Sequence, residues 1–286
     1  MYVVGTMRLF AISDLHTDMA TNLKWIDDLD NDRWKQDAII VAGDVAERTE
    51  IVIATLKLLK SKFAEVFFVA GNHDVWGAKD SLEKLDQLYD KLRAFGVKCE
   101  PALLDGRVWV VPLDSWHYFD IDNEAHDFDL ARLRLWRDFE KCTWLPSAVG
   151  SHSTANTAGF DPIAKLKEAQ AVARLMMERN EATLERVFAL QAVRHLPVVT
   201  FSHFVPRFDL NPKFTRFKEL TAVSVCAGLD AQLRSIRSSV HIFGHTHHRT
   251  DRTVEGVRYI QFPLGYPTEG VYCPRFPDIS TNEVII

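Results

Sequence analysis

Five groups of acidic, amide and imidazole side chains recur along this chain, each directly behind an apolar run: Asp14-Leu15-His16, Gly43-Asp44, Gly71-Asn72-His73-Asp74, Ser202-His203 and Gly244-His245-Thr246-His247. Carboxylate oxygens, amide oxygens and imidazole nitrogens are the donors that hard and borderline divalent metals take. Seven such donors, Asp14, His16, Asp44, Asn72, His203, His245 and His247, suit two metal ions rather than one. Singly, Asp14-Leu15-His16 and Gly43-Asp44 are weak, since Asp and Ser favour turns, and a lone histidine such as His203 is more often structural; Gly71-Asn72-His73-Asp74 and Gly244-His245-Thr246-His247 are stronger. Together they are strong, because independent turns would not place every group behind a strand. Asp44 can bridge two ions, and Gly43 before it permits close backbone approach. His245 and His247, two residues apart in extended chain, point the same way. His73 can stay off the metal as a proton donor, with Asp74 orienting its ring.

Those groups need a sheet behind them. Residues 7–13, 38–42 and 66–70 are apolar runs of strand length, and residues 50–63 and 82–95 carry apolar side chains at helical spacing. Strand, helix, strand, helix implies a parallel sheet covered by helices, an α/β fold. Residues 107–113, 197–201, 240–243 and 257–262 add further strands. Side chains at the C-terminal ends of strands in one sheet converge on one crevice. Between the fourth and fifth strands, residues 115–196 read as an insertion of loop and helices, with a long helical stretch over 162–194 broken near Asn180. Because it leaves and rejoins the core beside the proposed crevice, it is expected to cap or wall it. The expectation is a single domain over residues 1–286 with 115–196 inserted in it.

Composition narrows the class. The 286 residues are 47% hydrophobic and 26% charged with a net charge of −5, an ordinary globular balance without the basic excess of a general nucleic-acid or membrane-surface binder. An anionic substrate stays compatible with that charge, since bound metals supply local positive charge. Cys99, Cys142, Cys226 and Cys273 are scattered without a CxxC pair and read as reduced thiols. No run approaches the roughly 18 apolar residues of a membrane helix, and residues 1–6 lack the form of a signal segment. The expected location is cytoplasmic. Oligomeric state has no signature here.

In its D-x-H, G-D, G-N-H-[DE], later histidine and G-H-x-H blocks, present in order from residue 14 to 247, the chain resembles the calcineurin-like metallophosphoesterase superfamily. The resemblance implies a β-sandwich flanked by helices and a dinuclear centre at the strand ends. It implies that Asp14, His16, Asp44 and His247 hold one ion and Asp44, Asn72, His203 and His245 the other, and that His73 protonates the leaving group. It further implies hydrolysis of phosphate mono- or diesters by a bridging hydroxide. Mn, Fe and Zn all suit the donor set. The protein-phosphatase branch reads G-D-x-x-D-R-G at the second block; here Glu47 stands for the second aspartate, as a candidate support for the histidine, and Arg48 is a candidate phosphate contact. The rest of that branch's pattern is absent.

Two metals held roughly 3.5–4 Å apart would bind the phosphoryl oxygens and lower the pKa of a water between them. Trp116 and His117, behind the strand at 107–113, and Arg207, just past His203, are the remaining candidates for substrate contact. The competing reading is a non-catalytic protein-binding scaffold on the same fold. Complete ligand positions argue against it.

Overall fold

A computed structural model of the protein describes residues 7–122, 128–157, 159–212, 218–269 and 279–284. Cys273 lies outside them. Its nine described strands form two sheets. The first is all parallel, in the order β1 (Leu9–Ile12), β2 (Ala38–Ala42), β3 (Glu65–Val69). The second has the order β4 (Ala102–Leu104), β5 (Val108–Pro112), β6 (Val198–Phe201), β7 (Val240–Ile242), β9 (Val257–Gln261), β8 (Thr250–Val254). Its four inner strands are parallel, and β4 and β8 close its edges antiparallel. These two edge strands are short or polar, which is why no apolar run marked them: β8 reads Thr-Asp-Arg-Thr-Val.

Alternation along the strands decides how the sheets meet. Leu9, Ala11, Ile40, Phe67 and Val69 form one buried cluster with Val110, Val199, Phe201, Ile242 and Ile260. The residues between them, including Phe10, Ile12, Ile39, Val41, Val66, Phe68, Val111 and Val198, belong to a second cluster that takes in the helices. The arrangement is a β-sandwich with apolar side chains on both faces of each sheet, so the strands read as continuous hydrophobic runs rather than as alternating ones. The β-sandwich flanked by helices that the resemblance implied is the fold observed; strand-helix alternation agrees with it without showing it. Periodicity cannot say which strands share a sheet.

The helices are α1 (Ala20–Asp27), α2 (Thr49–Lys62), α3 (Asn72–Val75), α4 (Ser81–Ala94), α5 (Asp138–Lys141), α6 (Pro146–Val149), α7 (Pro162–Arg194) and α8 (Leu229–Ser235). Val52, Leu56 and Leu59 of α2 and Leu85, Leu88 and Leu92 of α4 are buried in the helix-facing cluster. Asp80 caps α4 by accepting the N–H groups of Leu82 and Glu83. The long helix is unbroken at Asn180. That side chain is buried and spends itself outside its own helix, accepting from the Asp114 N–H and donating to the Asp114 carbonyl and to Gln232, so it does not compete for its own backbone. None of the helices among the described residues is long and apolar enough to cross a membrane.

The C-terminal ends of both sheets come together along one edge. Ser13, just past β1, donates its N–H to Phe262 and accepts from Leu264, so the chain after β9 runs beside the end of β1. Asp14, Asp44 and Asn72 follow β1, β2 and β3; His203 and His245 follow β6 and β7. Parallel strands put all of these residues at the same edge.

Candidate metal centre

One buried carboxylate shapes the loops that carry the candidate ligands. Asp74 accepts the backbone N–H of Gly71 at 2.8 Å, Asp44 at 2.9 Å, Val45 at 2.9 Å and Ala46 at 3.2 Å. Without it those donors would be orphaned in a buried turn. The expected role of Asp74 as orienter of His73 is therefore corrected: both of its oxygens are taken by backbone, and it positions the loop of Asp44. Burial, and next the Asp44 carboxylate, push its pKa up to about 6. A Cβ at Gly71 would fall on Asp44 Oδ1, and one at Gly43, where φ is +82°, on the His203 ring. Asp14, His16, Asp44, His245 and His247 themselves have φ between 42° and 77°. Left-handed backbone at a non-glycine residue costs about 1–3 kcal/mol and persists where the surroundings over-determine it, commonly at functional sites.

Asp14, His16 and His247 form one set, with donor atoms within 4.8 Å of one another. His16 Nε2 and His247 Nε2 face each other at 2.9 Å, and His247 Nε2 stands 3.5 Å from Asp14 Oδ1. Asp14 is fully buried; its Oδ2 accepts from Ser13 Oγ and its Oδ1 from the His245 N–H. His247 Nδ1 is 2.6 Å from Glu269 Oε2, so Nδ1 carries the proton and Nε2 faces the set.

Asp44 belongs to two further sets, one with His16 and His73 and one with His203 and His245. His203 Nδ1 lies 2.9 Å from the Ala42 carbonyl and His245 Nε2 lies 3.0 Å from the Val223 carbonyl. A carbonyl only accepts, so those nitrogens bear the protons. The opposite nitrogens then present lone pairs. They converge on Asn72 Oδ1 at 3.0 and 3.1 Å, and His203 Nε2 is 3.4 Å from Asp44 Oδ2. The Asn72 amide is oriented by Asp138, whose Oδ1 accepts from its Nδ2 at 2.9 Å.

Four acceptors thus share one small volume, which only a cation, a proton or a metal, reconciles. The residues fit a metal: imidazole, amide and carboxylate donors, each braced behind by a hydrogen bond. Burial, and next the neighbouring histidine, hold His16 and His245 well below the ordinary histidine range, so both are neutral and ready to ligate. Burial, the largest influence, opposes a charge on His203 and His247, but Asp44, Asp14 and the Ala42 carbonyl around the first, and Asp14, Glu269 and Asp44 around the second, together outweigh it, lifting His203 to about 9. A metal ion takes the place of such protons.

A cleft of about 290 Å³ opens over the centre. The His73 ring stacks on Trp76 with centroids 3.7 Å apart; its Nε2 is 3.4 Å from Tyr266 Oη and 3.9 Å from Asp44 Oδ2. Tyr266 stacks on His16 at 4.2 Å. Leu135, Trp136 and Arg137, from the segment between β5 and β6, form the opposite wall.

The other sequence candidates lie elsewhere. Arg48 precedes α2, is 72% exposed and stands 3.8 Å from Glu50, outside the cleft lining. Glu47 faces Lys141 at 3.6 Å and does not support a histidine. Trp116 is buried against Trp144 and Phe204, and His117 is buried with burial driving its pKa down to about 3; both are core. Arg207 is committed to Asp209, Asp230 and Glu255. Residues directly behind a strand end point into the core as readily as out of it, so rim position alone misleads. Conversely, Asp138, Glu269, Trp76, Trp136 and Tyr266 carry no motif; of these, Trp76 had only its closeness to the Gly-Asn-His-Asp block as a signal.

Comparison with known proteins shows the family and the fold. The family model described as calcineurin-like phosphoesterase matches residues 7–249. The [acyl-carrier-protein] phosphodiesterase PptH of Mycobacterium tuberculosis (strain ATCC 25618 / H37Rv) is 27% identical over 280 residues, covering 91% of this chain and 78% of the relative. The crystal structure of phosphopantetheinyl hydrolase (PptH) from Mycobacterium tuberculosis superposes with a TM-score of 0.68 at 22% identity, covering 94% of this chain and 93% of the other, a likeness of fold.

Proposed function

The chain belongs to the calcineurin-like phosphoesterase family, and we propose that it is a two-metal phosphodiesterase that releases a phosphopantetheinyl group from a carrier protein. It is a hydrolase of phosphate ester bonds; the finer statements are our reading. The observation that carries it is the position of Asp44, which is grouped with His16 and His73 and also with His203 and His245. In this reading Asp14, His16, Asp44 and His247 hold one ion and Asp44, Asn72, His203 and His245 the second, with Mn, Fe or Zn compatible with the donors. Bound there, such ions neutralise charge on the phosphoryl oxygens and activate water.

The chain's own residues do the rest. His73 donates a proton to the leaving oxygen, and the face-on packing of Trp76 fixes its ring. Burial, then the nearby Asp44 carboxylate, raise the Tyr266 pKa, so its hydroxyl stays a donor toward the phosphoryl group. Among the described residues lining the cleft, Arg137 carries the one guanidinium, at the rim, while Trp76, Leu135, Trp136 and Leu220 are apolar. That lining suits a diester monoanion with a long arm better than a monoester dianion. We read residues 1–286 as one domain in which the inserted segment 115–196 supplies that wall. A scaffold without catalysis draws no support from a site whose seven donor positions are all filled.

The test is incubation of Mn²⁺-loaded protein with a phosphopantetheinylated carrier protein, read by intact mass, beside aryl mono- and diesters. The expected result is loss of one phosphopantetheinyl group and faster cleavage of the diester. Cleavage of monoesters alone would discard the substrate class, and no cleavage of any ester would favour the scaffold.

A further inference from the structure

Asp138 sits on α5, inside the segment between β5 and β6 and 66 residues from Asn72 in sequence. It is 2% exposed, and it has no counterpart in the motifs that mark the centre. Three side-chain donors end on its two oxygens. Asn72 Nδ2 and Trp76 Nε1 reach Oδ1 at 2.9 and 2.6 Å, and Trp136 Nε1 reaches Oδ2 at 2.7 Å. Each of these partners faces the cleft. Asn72 presents its carbonyl oxygen to His203 and His245. Trp76 is the surface on which His73 stacks. Trp136 forms the far wall and meets the His245 ring edge-on at 5.6 Å.

The amide of Asn72 has two ends of nearly equal size, and only one can ligate a cation. A carboxylate accepts hydrogen bonds and does not donate, so it selects the NH₂ end and thereby turns Oδ1 inward. A neutral side chain of the same shape would select less firmly, and it would leave the second indole facing a donor. We propose that Asp138 is a positioning residue: it fixes the Asn72 amide with its oxygen toward the centre, and through Trp76 and Trp136 it locks the inserted segment to the ligand loop. The inference rests on the two-ion reading of the site and deepens it. It also extends the expectation that residues 115–196 cap or wall the crevice, because one of them braces a candidate ligand.

The experiment is a calorimetric titration of metal-stripped protein with Mn²⁺, comparing the parent with Asp138→Asn. The parent is expected to take up two ions. In Asp138→Asn the ion assigned to Asn72, His203 and His245 should weaken by about 10–100-fold, the usual effect of losing a residue that braces a ligand. The ion at Asp14, His16 and His247 should bind as in the parent. A role in stability alone predicts lowered thermal stability of the stripped protein with both ions unchanged, and that result overturns the proposal. A parent that takes up no Mn²⁺ overturns the two-ion reading and this inference with it; an unchanged variant of a two-ion parent overturns the inference alone. Trp136→Phe keeps an aromatic ring and removes one donor, so it serves where Asp138→Asn does not fold. It should weaken the same ion a few-fold, and an unchanged titration there counts against the proposal.

Discussion

His247 Nδ1 and Glu269 Oε2 stand 2.6 Å apart, and that bond turns His247 Nε2 toward Asp14 and His16. The carboxylate sets the tautomer, and tautomer decides whether an imidazole can ligate. Glu269→Gln should therefore lower affinity for the ion at Asp14, His16 and His247 by about 10–100-fold, leaving the second ion in place. Mn²⁺ titration checks this, and equal weakening of both ions would point to a general loosening of the loop instead.

Asp44→Asn should strip both ions. Its carboxylate stands with His16 and His73 on one side and with His203 and His245 on the other, and Oδ1 also accepts the His73 N–H at 2.9 Å. Metal analysis after desalting should find less than one equivalent. Two full equivalents in a folded variant would show that Asp44 does not bridge.

His73→Ala should keep its metals and lose rate selectively. Proton donation to the leaving group is typically worth about 10²–10⁴-fold for an alkoxide and less for a good aryl leaving group. Comparing alkyl and aryl diesters at saturating metal reads the difference. Equal slowing of both would remove His73 from that role.

Arg137→Ala should raise KM with little change in kcat. Its side chain is 57% exposed on the rim of the cleft, near Glu140. A contact made equally in ground and transition states changes binding rather than the chemical step. A large fall in kcat with KM intact would place the guanidinium on the reacting phosphoryl group.

Metal-free protein should lose stability as pH falls. His241 is fully buried between Thr200 and Ser202, and burial drives its pKa down from 6.5 to about 3. The unfolded chain then binds a proton that the folded one refuses, so stability present above pH 6.5 declines steadily as pH falls toward about 3. His241→Asn should show a shallower decline of unfolding midpoint over that window. The same slope in parent and variant would assign the effect to other groups, His117 first among them.

The candidate ligand set was legible in the sequence because its chemistry is local. Asp14, Asp44, Asn72, His203 and His245 each stand within three residues of a strand end, and parallel strands carry their C-terminal ends to one edge whatever the rest of the chain does. The helices α2 and α4 were legible for a similar reason, since an amphipathic period is written in a dozen consecutive residues. Tertiary structure alone decided which partner each side chain met. Asp138 braces Asn72 from 66 residues away and Glu269 braces His247 from 22, without any period or motif joining them. Asp74, Arg48 and Arg207 had the right chemistry for the site and were claimed by nearer partners: backbone amides, Glu50, and a cluster of three carboxylates. Hydrogen bonds act over about 3 Å of space, and distance along the chain does not measure that space. The division of strands into two facing sheets followed the same rule, because a run buried on both faces looks alike in one sheet or two, and only packing against Val110, Val199 and Ile242 settled which face of β1 and β2 met another sheet.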